Sequence, residues 1–433
     1  MMRVVGLALL AGMAAAGGGT SKAAKRLAQA HAHYEAAQFP EAAAGFAKVL
    51  RLSPSPKLQA SLGKAGLGPL QLTPYRREFA RALVVGGDYA AAAEQLSQMR
   101  AAASHLPRAE LAGRFESDVL REEAQVFQCR GELKDAASAL RRSVKLLKAT
   151  SGPSAPRPAD FFERYQRLAT LETWLGRASK ASEAAAKAID AKDSVGAAGV
   201  MRRNRGEHAR PMASWLPDVS GTDDSPWRSL TEPGYAELAA TLIAETAALR
   251  DEAVALWEAG RFNTQPECMH QRAPGAEGQG QVAAGAEWTQ LPVVGVDFMR
   301  AERGGCSEHT PLGCALVSRL VKRWRANSAA GAAAVEVERV GYSTLAAGGW
   351  IRPHWGETNA RLKLHLGLVV GSGPEGCAAL TVGGEARAWG EGEVLFFDDS
   401  YEHEAWNNCS VGEGGLPRIV LQVVVRHPRA PAD

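Results

Sequence analysis

Two histidines and one arginine in the C-terminal part of the chain have the residue types and spacing that point most directly to chemistry. His354 and His403 each lie beside a strand-like apolar run, and Arg418 begins a third such run. Non-haem iron oxygenases bind iron with two histidines and one carboxylate, and leave positions open for substrate and oxygen. A guanidinium fork suits bidentate binding of a carboxylate. The three residues therefore indicate an iron centre that also holds an anionic keto-acid.

The carboxylate that usually completes such a centre is absent from its ordinary place. Two residues after His354 the chain has Gly356, and Glu357 lies one residue further on. A shift of one residue along a strand turns a side chain to the opposite face. Two alternatives stay open for the vacant iron position, namely a water molecule and the Glu357 carboxylate.

A predicted strand after His354 carries three basic side chains on one face. Arg361, Lys363 and His365 alternate with leucines, so the two sets point in opposite directions. We expect the basic face to line a polar cavity of a jelly roll, because ligand sites favour the mouths of barrels. The alternative is a solvated outer face, which is common in antiparallel sheets.

The elements that must position these residues form two classes. Residues 24–195 are Ala-rich with apolar residues at helical spacing, and they resemble degenerate tetratricopeptide repeats. An irregular helical bundle is the alternative.

Residues 196–232 are broken by Gly and Pro and indicate a linker. From Trp288 onward, short apolar runs separated by Gly-rich turns predict an antiparallel sandwich or jelly roll. Helices are expected near 234–260 and 315–326.

Bulk properties exclude some functions and suggest a compartment. A net charge of +3 over 433 residues, with no dense basic run, gives no reason to expect nucleic-acid binding. Residues 1–19 have a basic start, an apolar run and an Ala/Gly-rich end, as in a secretory signal peptide, while a buried first helix is the alternative. That run is too short to span a bilayer comfortably, and no other segment could cross a membrane.

A secretory route would expose the six cysteines to an oxidising environment. Cys306 and Cys314 are close in sequence, so we expect a small disulfide loop between them, whereas the other four have no obvious partner. Asn408 begins a glycosylation sequon, and its proximity to His403 leaves its modification open.

Longer motifs carry a resemblance to a known family. They are Arg352-Pro353-His354-Trp355-Gly356, Thr358-Asn359-Ala360-Arg361-Leu362-Lys363-Leu364-His365, Trp389-Gly390-Glu391-Gly392, Phe396-Phe397-Asp398-Asp399-Ser400-Tyr401-Glu402-His403 and His427-Pro428. From Tyr342 to Pro428 the chain resembles the oxygenase domain of the aspartyl/asparaginyl β-hydroxylase family. The resemblance extends more weakly upstream to Trp288-Thr289-Gln290, Cys306 and Cys314.

The resemblance implies a fold and an activity. The fold is an α+β multidomain chain, with tetratricopeptide-like helices followed by a double-stranded β-helix (jelly-roll or cupin-like) domain over residues 233–433. The activity is that of an Fe(II)- and 2-oxoglutarate-dependent dioxygenase that hydroxylates the β-carbon of Asp or Asn in a peptide or protein, such as a disulfide-rich secretory domain. The protein would be located in the lumen of the endoplasmic reticulum or be secreted from the cell.

The resemblance also implies residue roles. Iron would be held by His354 and His403 alone, because animal members have glycine in place of the carboxylate. Arg418, Ser343, His365 and Lys363 would bind 2-oxoglutarate, with Lys363 standing where animal enzymes have arginine. The residues that would face the substrate are Arg361, Trp288 and Gln290. Gly341 replaces a family lysine, which puts the substrate in question more than the chemistry.

Two other functions compete with this hypothesis. One is a related oxygenase that acts on a lipid or a small molecule. The other is a non-catalytic repeat protein whose oxygenase-like domain only binds metal or ligand. The presence of both histidines and of Arg418 favours an enzyme.

Overall fold

A computed structural model describes most of the chain after its first 21 residues. The described residues are 22–35, 38–50, 56–103, 106, 109–150, 156–193, 225–231, 234–264, 270–272, 288–293, 309–356, 358–410 and 416–430. The expected signal peptide and most of the predicted linker lie outside them. No helix within these ranges is long and apolar enough to cross a membrane. The chain divides into two compact units, residues 1–164 and 165–433.

The first unit is helical in all its described elements. The helices are α1 (Lys22–Glu35), α2 (Phe39–Ala47), α3 (Pro56–Lys64), α4 (Thr73–Val85), α5 (Tyr89–Ala102), α6 (Ala109–Cys129) and α7 (Leu133–Lys148). Neighbours pack in pairs, α1 with α2, α4 with α5 and α6 with α7. Ala42 and Phe46 are fully buried, as their spacing predicts. Helix α8 (Pro158–Trp174) and helix α9 (Ala178–Asp193) follow.

Glycines with positive φ mark the turns inside these pairs. Gly87 (φ 77°), Gly131 (φ 79°) and Gly176 (φ 68°) each end one helix shortly before the next begins. An L-residue with a side chain is disfavoured in this conformation, which explains glycine there. After Gly87, the Asp88 carboxylate accepts a hydrogen bond from the Ala91 amide (3.0 Å) and caps α5.

The second unit contains two antiparallel sheets. Their strands are β1 (Asn263–Thr264), β2 (His270–Arg272), β3 (Trp288–Pro292), β4 (Val337–Leu345), β5 (Gly349–His354), β6 (Arg361–Val369), β7 (Ala378–Val382), β8 (Glu385–Ala388), β9 (Val394–Phe397), β10 (His403–Asn407) and β11 (Arg418–Arg426). One sheet has the order β1-β3-β4-β11-β6-β9 and the other the order β2-β5-β10-β7-β8. The expected helical region followed by antiparallel strands is thus confirmed.

The predicted helix over 234–260 is two helices, α10 (Tyr235–Ala244) and α11 (Thr246–Glu258), which meet at Glu245. A third helix, α12 (Pro311–Ala329), extends the one predicted over 315–326. Glu252 on α11 accepts hydrogen bonds from the amides of Leu312 (2.6 Å) and Gly313 (3.0 Å) at the start of α12. A carboxylate there stabilises the partial positive charge of the helix N-terminus.

The two faces of the six-stranded sheet pack into two different hydrophobic cores. On one face, Leu362, Leu364 and Leu366 of β6 pack with residues of α10, α11 and α12. The other face belongs to a core shared with the second sheet, which includes Trp288, Ile351 and Phe397. The basic residues of β6 alternate with the leucines and therefore lie on the inner face, as predicted.

Helices continue to Asp193, close to the predicted end of the helical region at residue 195, whereas the boundary between the two compact units follows residue 164. Residues 165–193 group with the sheets, and one contact that joins them is a hydrogen bond from the Trp174 indole to the Pro353 carbonyl (2.9 Å). Within the predicted linker, Trp227 is described, is buried and pairs with Phe397 of β9.

Cysteine pairing also differs from the expectation. Cys377 and Cys409 form a disulfide, although neither has a sequence neighbour that suggests it. Cys129 is disulfide-bonded as well. Cys306 lies outside the described residues, and Cys314 is a thiol, so the predicted Cys306–Cys314 pair is not formed. Sequence proximity was a poor guide because antiparallel strands bring distant cysteines together.

The Cys377–Cys409 disulfide ties the start of β7 to the end of β10, which carries His403. We expect Cys377→Ser to lower the free energy of unfolding by about 3–4 kcal/mol, since the bond closes a long loop in the unfolded chain. Chemical denaturation under oxidising conditions measures this, with Cys314→Ser as the matched control that leaves the disulfide intact. Equal denaturation midpoints for wild type and Cys377→Ser would contradict the prediction.

Candidate metal centre and anion pocket

The two predicted histidines meet at the inner face of the five-stranded sheet. His354 is the last residue of β5, His403 is the first residue of β10, and the two are direct partners in the antiparallel register. Their ring centroids are 4.1 Å apart. The Trp288 ring lies 6.4 Å from the His354 ring, and the Phe397 ring lies 5.9 Å from that of His403. The structure therefore brings together the pair on which the metal hypothesis depends.

A bulge in β5 aims His354 toward His403. Ala405 pairs with Ile351 and His403 with His354, so β5 contains one more residue than β10 over this stretch. A β-bulge of this kind re-aims side chains and is frequent beside active sites. In a regular strand with no bulge, alternation would place His354 on the face opposite Ile351.

Backbone hydrogen bonds select the tautomer of both rings. The Nδ1 atom of His354 lies 2.8 Å from the Arg352 carbonyl oxygen, and the Nδ1 atom of His403 lies 2.9 Å from the Tyr401 carbonyl oxygen. A carbonyl can only accept, so each Nδ1 carries the proton and donates it. Each Nε2 is thereby left with a lone pair, the arrangement of a metal-binding imidazole.

Burial keeps both rings neutral. It lowers the pKa of His403 to about 3, because the charged imidazolium would be held away from water. The pKa of His354 is also held well below its usual value, first by burial and then by the neighbouring His403. Neutral imidazole is the form that binds a metal ion.

The Asp399 carboxylate approaches Gly356 closely. A Cβ at position 356 would lie 2.7 Å from the Asp399 Oδ2, and the Gly356 amide donates to the Asp399 carbonyl oxygen (2.6 Å). Asp399 is anchored by the Lys363 ammonium, 2.8 Å from its Oδ2. A carboxylate on residue 356 would therefore displace Asp399. Glu357 lies outside the described residues.

Within the described ranges, no set of three or more His, Cys, Asp or Glu side chains is arranged as a metal-ligand group. The candidate metal ligands in the described part of the chain are therefore His354 and His403. Two neutral imidazoles with unblocked Nε2 atoms fit a ferrous ion that keeps open positions.

A second cluster of polar groups is buried nearby and lacks partners. Arg418 is 2% exposed, and neither its Nε nor its Nη2 has a hydrogen-bond partner in the described part of the chain. Both ring nitrogens of His365 and the indole nitrogen of Trp389 are also buried without a hydrogen-bond partner among the described residues. The Trp389 ring lies 4.5 Å from the Arg418 guanidinium carbon and is stacked 6.1 Å from the His365 ring.

Such a cluster indicates the site of an anion. Buried polar groups are almost always hydrogen-bonded, and a buried charge without a partner is costly. Burial lowers the pKa of Arg418 to about 9, which reflects this cost. His365 and the histidine pair lie on either side of Phe397, whose ring is 4.9 Å from that of His365 and 5.9 Å from that of His403. A carboxylate held by Arg418 would therefore lie in the same inter-sheet space as the histidine pair.

The remaining predicted residues have partners that modify their expected roles. Ser343 is buried, and its Oγ accepts a hydrogen bond from the Trp288 indole (3.1 Å), so Trp288 supports the pocket wall. Gln290 on the same strand contacts Gln422 (3.5 Å). Arg361 is ion-paired with Glu338.

Trp389 also lines the pocket, although its sequence motif does not assign it a role. It lies in the Trp389-Gly390-Glu391-Gly392 motif, and its solitary indole between two Gly-rich turns was the available signal. Only the fold shows that the ring covers Arg418.

Comparison with known proteins assigns this region. A sequence model described as aspartyl/asparaginyl beta-hydroxylase matches residues 244–428, which include both histidines and Arg418. The C-terminal region of this chain is thus similar to the aspartyl/asparaginyl β-hydroxylase family, as its motifs predict.

Curated relatives agree with this assignment. The human aspartyl/asparaginyl beta-hydroxylase is 30% identical over 224 residues, which cover 52% of this chain and 26% of that protein. Mouse aspartate beta-hydroxylase domain-containing protein 2 is 44% identical over 90 residues, or 21% and 24% of the two chains. The chain thus spans about a quarter of the length of the curated relatives it matches.

Solved structures similar to the chain are helical-repeat proteins. BtubC from P. vanneervenii is 12% identical with a TM-score of 0.33, covering 40% of this chain and 65% of its own. A putative kinesin light chain from Podosopora anserina with tetratricopeptide-like repeats is 20% identical with a TM-score of 0.29, covering 42% and 78%. Similarity at this level carries no argument about function.

Proposed function

We propose that this protein is an Fe(II)- and 2-oxoglutarate-dependent dioxygenase that hydroxylates the β-carbon of Asp or Asn residues in peptides or proteins, on a double-stranded β-helix. The single observation that carries the proposal is that, among the described residues, Nε and Nη2 of Arg418 and both ring nitrogens of His365 have no hydrogen-bond partner, in the same inter-sheet space as two neutral imidazoles. Together these groups match a ligand with a metal-chelating end and a distal carboxylate.

His354 and His403 would hold the iron through their Nε2 atoms, because both Nδ1 atoms are occupied by backbone carbonyls. Arg418 would bind the distal carboxylate of 2-oxoglutarate with its two partnerless nitrogens, and His365 would add a further hydrogen bond. When bound, iron and 2-oxoglutarate would supply oxidative decarboxylation by O2, with one oxygen atom going to succinate as CO2 is lost and the other to a substrate C–H bond. The chain provides orientation and a dry environment for that chemistry.

The apolar surroundings support this role. Trp288, Phe397 and Ile351 belong to the buried core between the sheets and limit the access of water to the histidine pair. Exclusion of water protects reactive species from side reactions.

The substrate is the less constrained part of the proposal. Arg361, proposed to bind the substrate carboxylate, is paired with Glu338, and a substrate would have to displace that carboxylate. The alternative is a lipid or small-molecule substrate, which the turnover assay distinguishes from a peptide. The Cys377–Cys409 disulfide supports the further proposal that the protein works in the secretory pathway, since such bonds persist in oxidising compartments.

The test is iron-dependent formation of succinate from 2-oxoglutarate by the full chain, with and without peptides that contain Asp or Asn. We expect turnover that needs Fe(II), and stimulation by peptide together with a gain of one oxygen atom in the peptide. Turnover that only a lipid or small molecule stimulates would replace the peptide substrate. Absence of any turnover would contradict the enzymatic proposal.

A further inference from the structure

The bulge of β5 leaves two backbone carbonyls outside the strand ladder. The described pairs join residues 349–351 to β2 and β10, and the next paired residue is His354. Between them lie Arg352 and Pro353. The Arg352 carbonyl accepts the Nδ1 proton of His354 (2.8 Å), and the Pro353 carbonyl accepts the indole N–H of Trp174 (2.9 Å).

Trp174 makes a second contact with the same dipeptide. The guanidinium carbon of Arg352 lies 5.0 Å from the centroid of the Trp174 ring. Arg352 is buried, and its Nε has no hydrogen-bond partner in the described ranges. The aromatic face offers the cation an attractive interaction that water would otherwise supply.

We propose that Trp174, the last residue of α8, positions His354 for metal binding by holding the Arg352-Pro353 bulge in place. This inference rests on the proposed role of His354 as an iron ligand. The carbonyl that orients the His354 ring belongs to the peptide group that joins Arg352 to Pro353, and Trp174 holds the carbonyl of the next residue. Rotation of the bulge would turn the ring and displace its Nε2.

Metal sites are sensitive to such displacements. Ligands must be held within about 0.5 Å and 10–20° of the productive geometry. Loss of a group that orients a ligating histidine typically costs about 10–100-fold in metal affinity. Trp174 acts one step further from the metal, so we expect an effect near the lower end of this range.

The test compares Trp174→Phe with the wild-type full chain, with Co(II) as a spectroscopic probe and anaerobic Fe(II) as the second metal. Phenylalanine keeps an aromatic ring beside Arg352 but removes the N–H donor together with part of the indole ring. We expect about tenfold weaker binding of both metals and a changed Co(II) absorption spectrum. The matched control is Trp406→Phe on β10, which removes a similar indole bond to the Gly376 carbonyl (3.3 Å) away from the bulge and should keep wild-type binding.

A rescue variant separates positioning from folding. Trp174→Gln keeps a donor but no ring, and should bind metal more tightly than Trp174→Phe if the hydrogen bond positions the histidine. Wild-type affinity and spectrum in Trp174→Phe, or weaker binding by Trp174→Gln than by Trp174→Phe, would overturn the inference. If the wild-type protein binds neither metal, the proposed function itself fails.

Discussion

Replacing Arg418 by methionine should weaken binding of 2-oxoglutarate by at least about 100-fold while making the ligand-free protein more stable. Loss of one partner of a buried charge pair costs about 3–5 kcal/mol, which sets the size of the binding defect. The ligand-free protein should gain stability because Arg418 is buried and its Nε and Nη2 atoms have no hydrogen-bond partner among the described residues. Methionine would remove this uncompensated buried charge. A buried residue that destabilises the empty protein is typical of a binding site.

The measurements are the dissociation constant of 2-oxoglutarate in the presence of Fe(II) without oxygen, and chemical denaturation without ligand. Arg426→Met is the matched control, because Arg426 lies at the other end of the same strand and is ion-paired with Glu336 (2.8 Å). The control should lose stability slightly and keep near-normal affinity. If Arg418→Met lost stability and kept its affinity, Arg418 would be a structural residue and the anion pocket would be wrong.

Replacing His354 by alanine should reduce Fe(II) affinity and succinate formation by more than about 100-fold. Loss of a group that merely orients a metal-binding histidine can cost that much, so loss of one of two protein ligands should cost more. The protein should stay folded, because His354 lies at the end of β5 and burial already disfavours its charged form.

The matched control for His354→Ala is His427→Asn, which changes a buried imidazole outside the inter-sheet pocket. Its Nδ1 accepts a hydrogen bond from the Arg429 amide (3.2 Å), which the asparagine side-chain oxygen can replace. We expect metal binding close to that of wild type. Equal losses in both variants would mean that a general loss of stability, rather than a ligand, explains the result.

The chemistry was predictable from the sequence because it depends on residue types within contiguous motifs. His354, His403 and Arg418 are adjacent to apolar runs, and alternation on β6 placed His365 on the inner face. Period-two patterns are set by the geometry of the strand itself, so this part of the site needed no tertiary information.

Other features depend on contacts between distant segments and were missed or wrong. The Cys377–Cys409 disulfide forms because β10 lies beside β7, which no local pattern reveals. The bulge that aims His354 inserts one residue without a distinctive composition. Asp399 closes the space beside Gly356 only after β6 and the loop before β10 have come together.

The roles of charged residues were the least predictable, because an ion pair depends on both partners. Arg361 is a basic residue at a position expected to face substrate, yet Glu338 neutralises it. Lys363 was expected to bind the cosubstrate, and its ammonium contacts Asp399. The sequence identifies these two cations, but only the tertiary structure shows which carboxylate each one pairs with.

X-ray absorption at the iron edge tests whether the two histidines hold the metal, because it counts the imidazoles bound to Fe(II) in the loaded full-length protein. We expect two imidazole ligands in the wild type and one in His354→Ala prepared at saturating metal. The same count in both proteins, or no imidazole in the wild type, would contradict a ferrous ion held by His354 and His403.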